Sequence, residues 1–338
     1  MAAVQDLNGK WGFINEKNKV VIPCQWKVVF DFHEGLATVQ DDATGRFGFI
    51  DKTGKVVIPC EWKFAKCFSD GLAAVKNAYH QYGYIDKTGR LVIPCHWDDA
   101  KDFQDGLAIV MNDHYQDGYI DKTGSIVIPC KWKMACCFTE GLARVEDNNH
   151  KFGFIDKTGR VVIPCQWNSA GDFHDGLSVV KNDDYKQGCI DKTGRVVIPF
   201  GKFFDIRDYS EGMAVTQNRD YAFGFIDKTG RLVIPYKWDY ARDFHEGLAA
   251  VTDSRKIGFI DKTGSVVIPC QWLEGYRFSE GLAAVQGDNK KYGFIDKTGR
   301  LVVPCKWEEA WDFSNGLARV RDANGVCYKI DKTGRVVR

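Results

Sequence analysis

A chain of 338 residues with a net charge of +1 and 44% apolar residues can bury a sizeable core and carries no bulk charge that would draw it to nucleic acid or an acidic membrane. No apolar run approaches the roughly 20 residues of a membrane-crossing helix, and the opening MAAVQDLNGKWGFI lacks a basic-then-apolar leader. A cytoplasmic protein with no membrane and no nucleic-acid partner is the expectation.

The first unit, residues 1–34, is atypical, with INEKNKV after its first strand pattern where later units carry IDKTG. That pentapeptide is first complete at Ile50–Gly54 and returns at Ile85, Ile120, Ile155, Ile190, Ile226, Ile260, Ile295 and Ile330, spaced by 34 to 36 residues. Asp-Lys-Thr-Gly also opens the signature of cation-pumping ATPases, which phosphorylate this aspartate. A covalent nucleophile is not needed in nine copies, and it requires a magnesium site and nucleotide domain that this sequence lacks. Turn chemistry accounts for the pattern better. Asp favours the first position of a type I turn, where its carboxylate accepts from backbone N–H groups ahead. Gly three residues later takes the left-handed conformation of a bulged hairpin loop.

The full unit Leu36–Gly71 predicts three strands, LATVQ, FGFID and KVVIP, followed by a segment from Trp62 to Phe68 that leads into the next GLA. Each of the nine prolines lies at the end of a third strand, where a missing N–H is expected to stop pairing. Glycines such as Gly35, Gly71 and Gly106 precede each first strand. Alternation puts Leu72 and Ala74 on one face and Ala73 and Val75 on the other; it sets Phe47 and Phe49 opposite Gly48 and Ile50. The third strand is apolar on both sides and is expected to be covered on both. Such units cannot dry their faces alone, so each needs a neighbour above and below.

Eight tryptophans, from Trp26 to Trp307, occupy one repeat position with a phenylalanine six residues on. They are assigned to packing between units, each burying about 150–250 Å². Of 12 cysteines, seven follow the proline of IPC (Cys24, Cys60, Cys95, Cys130, Cys165, Cys270 and Cys305). They read as reduced, buried, small apolar residues; a metal-binding thiolate column would want close Cys-x-x-Cys spacing, which is missing. No metal and no cofactor are expected.

These residues resemble a known family, the bacterial WG-repeat proteins, with Trp-Gly or Tyr-Gly before an Ile-Asp turn and IP…W…F.EGLA.V after it. The naming pair stands at Trp11-Gly12, with Phe47-Gly48, Tyr82-Gly83 and Tyr292-Gly293 as aromatic variants; Asp117-Gly118, Gln187-Gly188 and Ile257-Gly258 lose the aromatic. The resemblance covers the whole chain and implies one all-β repeat array over residues 1–338. It brings no catalytic residue. The expected architecture is about ten antiparallel three-stranded units of about 35 residues, stacked face to face. Altered first and last units, the latter at 317–338, favour an open superhelical array; a closed β-propeller-like ring, with the Trp-to-Phe segment as a fourth strand of each unit, is the alternative. PFGKFF at Pro199–Phe204 predicts a local adjustment in the sixth unit.

The DKTG ends hardly vary, and the acid of each EG or DG should return there to meet the Arg or Lys that follows most of the turns. The opposite ends differ in every unit: KNAYHQ at Lys76, MNDHYQ at Met111, EDNNHK at Glu146 and KNDDYK at Lys181. Loops rich in Tyr, His and Asn make adaptable contacts. Tyr79, His80, His114, Tyr115, Asn149, His150 and Tyr185 are therefore the candidate partner-binding rim. No metalloprotease, phosphate-loop or nucleophile-elbow motif occurs. The expectation is a noncatalytic scaffold for an unknown protein partner, with a glycan or cell-wall module using the repeated aromatics as the alternative.

Overall fold

The computed structural model describes residues 1–15 and 19–337. Glu16, Lys17 and Asn18, the middle of the INEKNKV turn singled out above, lie outside the described residues, as does Arg338. The chain divides into two compact units, Met1–Cys165 and Gln166–Val337. Among the described residues there is no helix, and ten small antiparallel sheets follow one another in chain order, sheets 1 to 4 in the first unit and 6 to 10 in the second; sheet 5 belongs to the first unit up to Cys165, its proline strand Val161–Trp167 ending in the second.

Sheet 3 shows the plan. Across it lie a short strand, Phe64–Ala65; the GLA strand, Leu72–Lys76; the glycine strand, Tyr82–Asp86; and the proline strand, Leu91–Trp97. The expectation of three strands is thus corrected to four in eight of the ten described sheets. The added strand comes from the Trp-to-Phe segment, which pairs forward with the next GLA strand, Phe64 opposite Lys76 and Ala65 opposite Val75. The corner between them explains why. Ser69 and Leu72 exchange both backbone hydrogen bonds around Asp70 (φ 54°) and Gly71 (φ 86°), the two-residue type I′ turn that suits the twist of a hairpin. Sheet 1 consists of Ala2–Gln5, Trp11–Ile14 and Val20–Trp26, and sheet 10 of Glu309–Ala310, Leu317–Arg321 and Cys327–Asp331.

Eight of the nine prolines do not end their strands, a second correction; only at Pro199, just after Val196–Ile198, does the strand stop as expected. Tyr82 pairs with Trp97, Tyr84 with Ile93 and Ile85 with Leu91, so the proline strand carries a bulge across Pro94. Proline is tolerated there because the ladder is already interrupted where its N–H is missing. The same bulge dictates the glycine of the glycine strand: a Cβ on Gly83 would lie 2.4 Å from the Ile93 carbonyl oxygen and 2.8 Å from the Cys95 nitrogen. In sheet 10, which has no proline strand among the described residues, Tyr328 stands in that register, opposite Val320.

Successive sheets pack face to face within each unit. Leu72, Ala74, Tyr84 and Trp97 of sheet 3 share a core with Phe103, Ala108, Val110 and Ile120 of sheet 4. The other face, with Ala73, Val75 and Ile85, meets Leu36, Phe47, Phe49 and Ile58 of sheet 2, as the alternation predicts. The proline strand departs from expectation, because it is a sheet edge: Val56 and Ile126 are exposed, and only the third residue, Ile58 or Ile128, is fully buried.

A ring pair recurs at these interfaces. The buried aromatic of one glycine strand meets the phenylalanine of the next sheet, as in Phe49–Phe68 and Tyr84–Phe103 at 4.8 Å and Phe225–Phe244 at 4.9 Å. Such pairs add about 0.5–1.5 kcal/mol beyond area burial. Where the first ring is tyrosine, its hydroxyl donates to the next sheet's backbone, from Tyr84 to the Lys101 carbonyl and from Tyr119 to that of Cys136, both at 2.6 Å. Six of the eight repeated tryptophans are at most 8% exposed, Trp62 and Trp272 being half-buried. All eight indole nitrogens are buried without an acceptor among the described residues, so these side chains contribute through ring packing.

The seven IPC cysteines are half-buried rather than buried, because they sit on the bulge of an edge strand. Burial still pushes their thiols up, that of Cys165 to about 11. In sheet 6 the proline strand stops after Val196–Ile198, Gly201 turns the chain at φ 72°, and Phe200 packs on Trp167 with centroids 5.4 Å apart. This is the local adjustment that PFGKFF predicts.

Candidate interaction surfaces

Each long sheet has two ends. At the conserved one, Asp51 Oδ1 accepts from the Thr53 N–H (2.8 Å), the Thr53 hydroxyl (2.6 Å) and the Lys55 N–H (3.1 Å), while Gly54 takes φ 85°. The hydroxyl bond first, with the backbone bonds behind it, holds the Asp51 carboxyl below the usual carboxylate range. The corner is fully accounted for as a type I turn with a glycine bulge.

Beside it, within each unit, the acid of an EG or DG corner reaches the following sheet. Glu34 accepts from the Gly71 N–H at 3.1 Å and meets Lys87 Nζ at 2.9 Å; Glu246 does the same with Gly281 (2.9 Å) and Lys297 (3.1 Å). The partner is thus the Lys inside DKTG. The residue after the turn was expected in that role, but its arginine pairs with the turn's own aspartate, as Arg195 Nε does with Asp191 at 3.1 Å. Four residues apart on a tight corner, those two cannot separate far enough for the arginine to reach the next sheet.

At the other end the GLA and glycine strands are joined by a turn of the same design. Asn77 Oδ1 accepts from the Tyr79 and Gln81 N–H groups at 2.9 and 3.0 Å, and Asn112 holds His114 and Gln116 at 3.0 and 2.9 Å. Asp147 holds Asn149 and Lys151, both at 2.9 Å. The candidate rim residues are therefore all turn-tip residues. Tyr79, His114 and Asn149 occupy the third position of their turns. His80, Tyr115, His150 and Tyr185 occupy the fourth, at φ 66°, 58°, 62° and 58°. In every DKTG turn that fourth position is glycine. Among the described tips, glycine fills it at Gly9 and Gly325, and Gly45 closes the longer loop that starts at Asp41.

Tyr79, Tyr115 and Tyr185 are 84%, 72% and 75% exposed. The histidines are held locally: His80 Nε2 lies 2.9 Å from Lys63 Nζ, His114 Nδ1 2.6 Å from Asp113, and His150 Nδ1 2.9 Å from Glu146. The six candidates of the first unit sit on three successive tips. They are not brought together into one pocket. Tyr221 was missed; it has the same turn position (φ 63°) and is 69% exposed, and its QNRDYA loop carries the same signal as its neighbours.

Sequence reasoning also missed the short-strand edge. The residue two positions before the repeated aromatic changes from sheet to sheet, reading Lys66, Lys101, Cys136, Gly171, Arg207, Arg242, Tyr276 and Trp311. The variability was visible, but the segment counts as a strand only in the closed-ring alternative and otherwise reads as a connector. In the second unit this edge opens into cavities of about 330, 380 and 440 Å³.

Fold and surfaces together define a β-repeat protein assembled from small antiparallel sheets. The WG containing repeat model matches residues 11–43, 47–78, 82–113, 118–149, 152–185, 188–221, 223–254, 257–291 and 292–325. The chain belongs to the WG containing repeat family. No curated protein sequence matches it. Among solved structures it is similar to the computationally designed Ika8 protein, with 12% identity over 78% of this chain and 94% of that one and a TM-score of 0.40. It is also similar to BamB from Moraxella catarrhalis, with 9% identity over 98% of both chains and a TM-score of 0.39.

Proposed function

We propose that the chain is a noncatalytic interaction scaffold that binds a protein partner through the variable turn tips. The observation that supports this reading is an energetic one. Tyr115, Tyr185 and Tyr221 hold a left-handed backbone at a position where glycine would sit at no steric cost and a side chain costs on the order of 1 kcal/mol. They are also largely exposed, so packing returns little for that strain, Tyr221 meeting the likewise exposed Phe204 ring edge-on at 6.3 Å. Strain kept at exposed aromatic residues is characteristic of contact sites. The repeated Trp and Phe residues, by contrast, are committed to the interfaces between sheets and offer no exposed ladder for a glycan.

The test uses the full chain as bait in a lysate of its source organism, beside a Tyr115→Gly, Tyr185→Gly, Tyr221→Gly variant. The variant is expected to be as stable as the parent in urea, or more stable by up to about 1 kcal/mol per site, and to lose the captured partner. Retention of every captured protein by a folded variant would remove the rim from consideration.

A further inference from the structure

The short-strand edge of the second unit carries a feature that the turn tips do not explain. Sheet 8 begins with Tyr240–Ala241 and sheet 9 with Glu274–Ser279, and between these edges lies the cavity of about 330 Å³. Its charges are nearly all engaged. Arg277 Nε pairs with Asp312 at 2.7 Å, and Arg207 donates to the Ala241 carbonyl at 3.0 Å.

Three polar side chains of the lining are left over, one of them the His245 imidazole. The Arg242 guanidinium lies 5.9 Å from the centre of the Tyr240 ring and 5.5 Å from that of Tyr276, and its side chain makes no ion pair or hydrogen bond among the described residues. Asp243 Oδ1 is buried with no donor among them. A buried carboxylate oxygen without a donor is costlier to leave than a neutral group. One uncommitted cation, one uncommitted acceptor and two tyrosine rings around a single cavity specify a ligand with one negative charge, a hydrogen-bond donor and an apolar face. One free cation among the described residues of the lining favours a carboxylate over a phosphate. The cavity also continues on both sides: the space of about 440 Å³ shares Arg207 and Asp243 with it, and that of about 380 Å³ shares Tyr276 and Asp312. A row of three cavities fits a chain of similar units.

We propose that this edge of the second unit binds an acidic oligosaccharide, with Arg242 taking a uronic-acid carboxylate, Asp243 a ring hydroxyl, and Tyr240 and Tyr276 the sugar faces. The site is separate from the turn tips and stands whether or not they bind a protein.

Calorimetric titration of the full chain with a trigalacturonate tests it, beside its methyl ester, a neutral trisaccharide, free glutamate and inorganic phosphate. Saturable binding of the trigalacturonate alone is expected, weakened at least about tenfold by Arg242→Gln, as loss of a charge-assisted pair implies, and left unchanged by Tyr115→Gly. The ester arm neutralises the ligand's charge without altering the protein, so the proposal stays testable if Arg242→Gln misfolds. Equal binding of the ester or the neutral sugar overturns it, as does saturation by glutamate or phosphate alone, or full affinity in a folded Arg242→Gln variant.

Discussion

The Asp51 carboxylate illustrates how single residues set this protein's response to solution conditions. Its hydroxyl and backbone donors hold it below the ordinary carboxylate range, and Asp86, Asp121, Asp156 and Asp191 are held the same way by Thr88, Thr123, Thr158 and Thr193 first and backbone N–H groups after. A carboxyl depressed in the folded state stabilises that state above its unfolded pKa and loses the contribution as pH falls through the folded value. Urea midpoints should therefore be flat from neutral pH down to about 5 and fall below about 4. A midpoint that rises on acidification would contradict this account. The thiols give a second expectation. Burial drives Cys189 up to about 12, with the Tyr209 hydroxyl opposing, whereas Cys137 is exposed. Limited alkylation with iodoacetamide followed by peptide mass spectrometry should label Cys137 early and Cys189 only after unfolding, since the thiolate is the reacting species.

Within a sheet, two glycine positions look alike in sequence and differ in physics. At Gly71 the space a Cβ would take is empty to 4 Å, but the backbone sits at φ 86°; Gly83 has an ordinary backbone and no room, with the Ile93 carbonyl 2.4 Å from that point. Gly71→Ala should cost about 1 kcal/mol. Gly83→Ala should cost about 3 kcal/mol or more, because the bulged backbone itself must move. Denaturant melts of the two variants compare them directly. The same contrast shows what a sequence reader can see. The DKTG corner was legible down to its acceptor and its left-handed glycine, because every atom of that explanation lies within five residues. The alternating faces of Leu72–Val75 were legible for the same reason. The course of the proline strand was not, since Pro94 is compatible with either a stop or a bulge and only the pairing of Tyr82 with Trp97 decides between them. The first strand of each four-stranded sheet was legible only as part of the closed-ring alternative, because in most sheets its two residues carry no periodicity. Its pairing is fixed by the Asp70-Gly71 corner, which faces forward into the next repeat. Of the candidate site, the tips were legible from their divergence. The Arg242 cleft was not, since it assembles from residues about 35 positions apart whose uncommitted state depends on which bonds their neighbours make.

At the scale of the molecule, stability is a sum over sheet interfaces, each resting on the same few rings and β-branched side chains. Removing one ring should therefore act locally. Phe103→Ala, which empties one side of the Tyr84–Phe103 pair, should destabilise by about 3–5 kcal/mol. Hydrogen exchange should then accelerate in Leu72–Trp97 and Asp99–Trp132 while amides of the second unit keep their protection. Uniform loss of protection along the whole chain would show that the sheets do not behave as nearest-neighbour modules.

The proline bulge has one more effect, on how copies of the molecule treat each other. With a net charge of +1, mutual repulsion gives little colloidal protection, and among the described residues every sheet but the last ends in an edge strand with exposed valine, leucine or isoleucine at its start. Such rims would zip together into fibrils if they were straight. The imino ring and the kink it occupies break eight of these nine rims in the middle, and in sheet 6 the strand stops before its proline, so the shape of each rim works against edge-to-edge pairing.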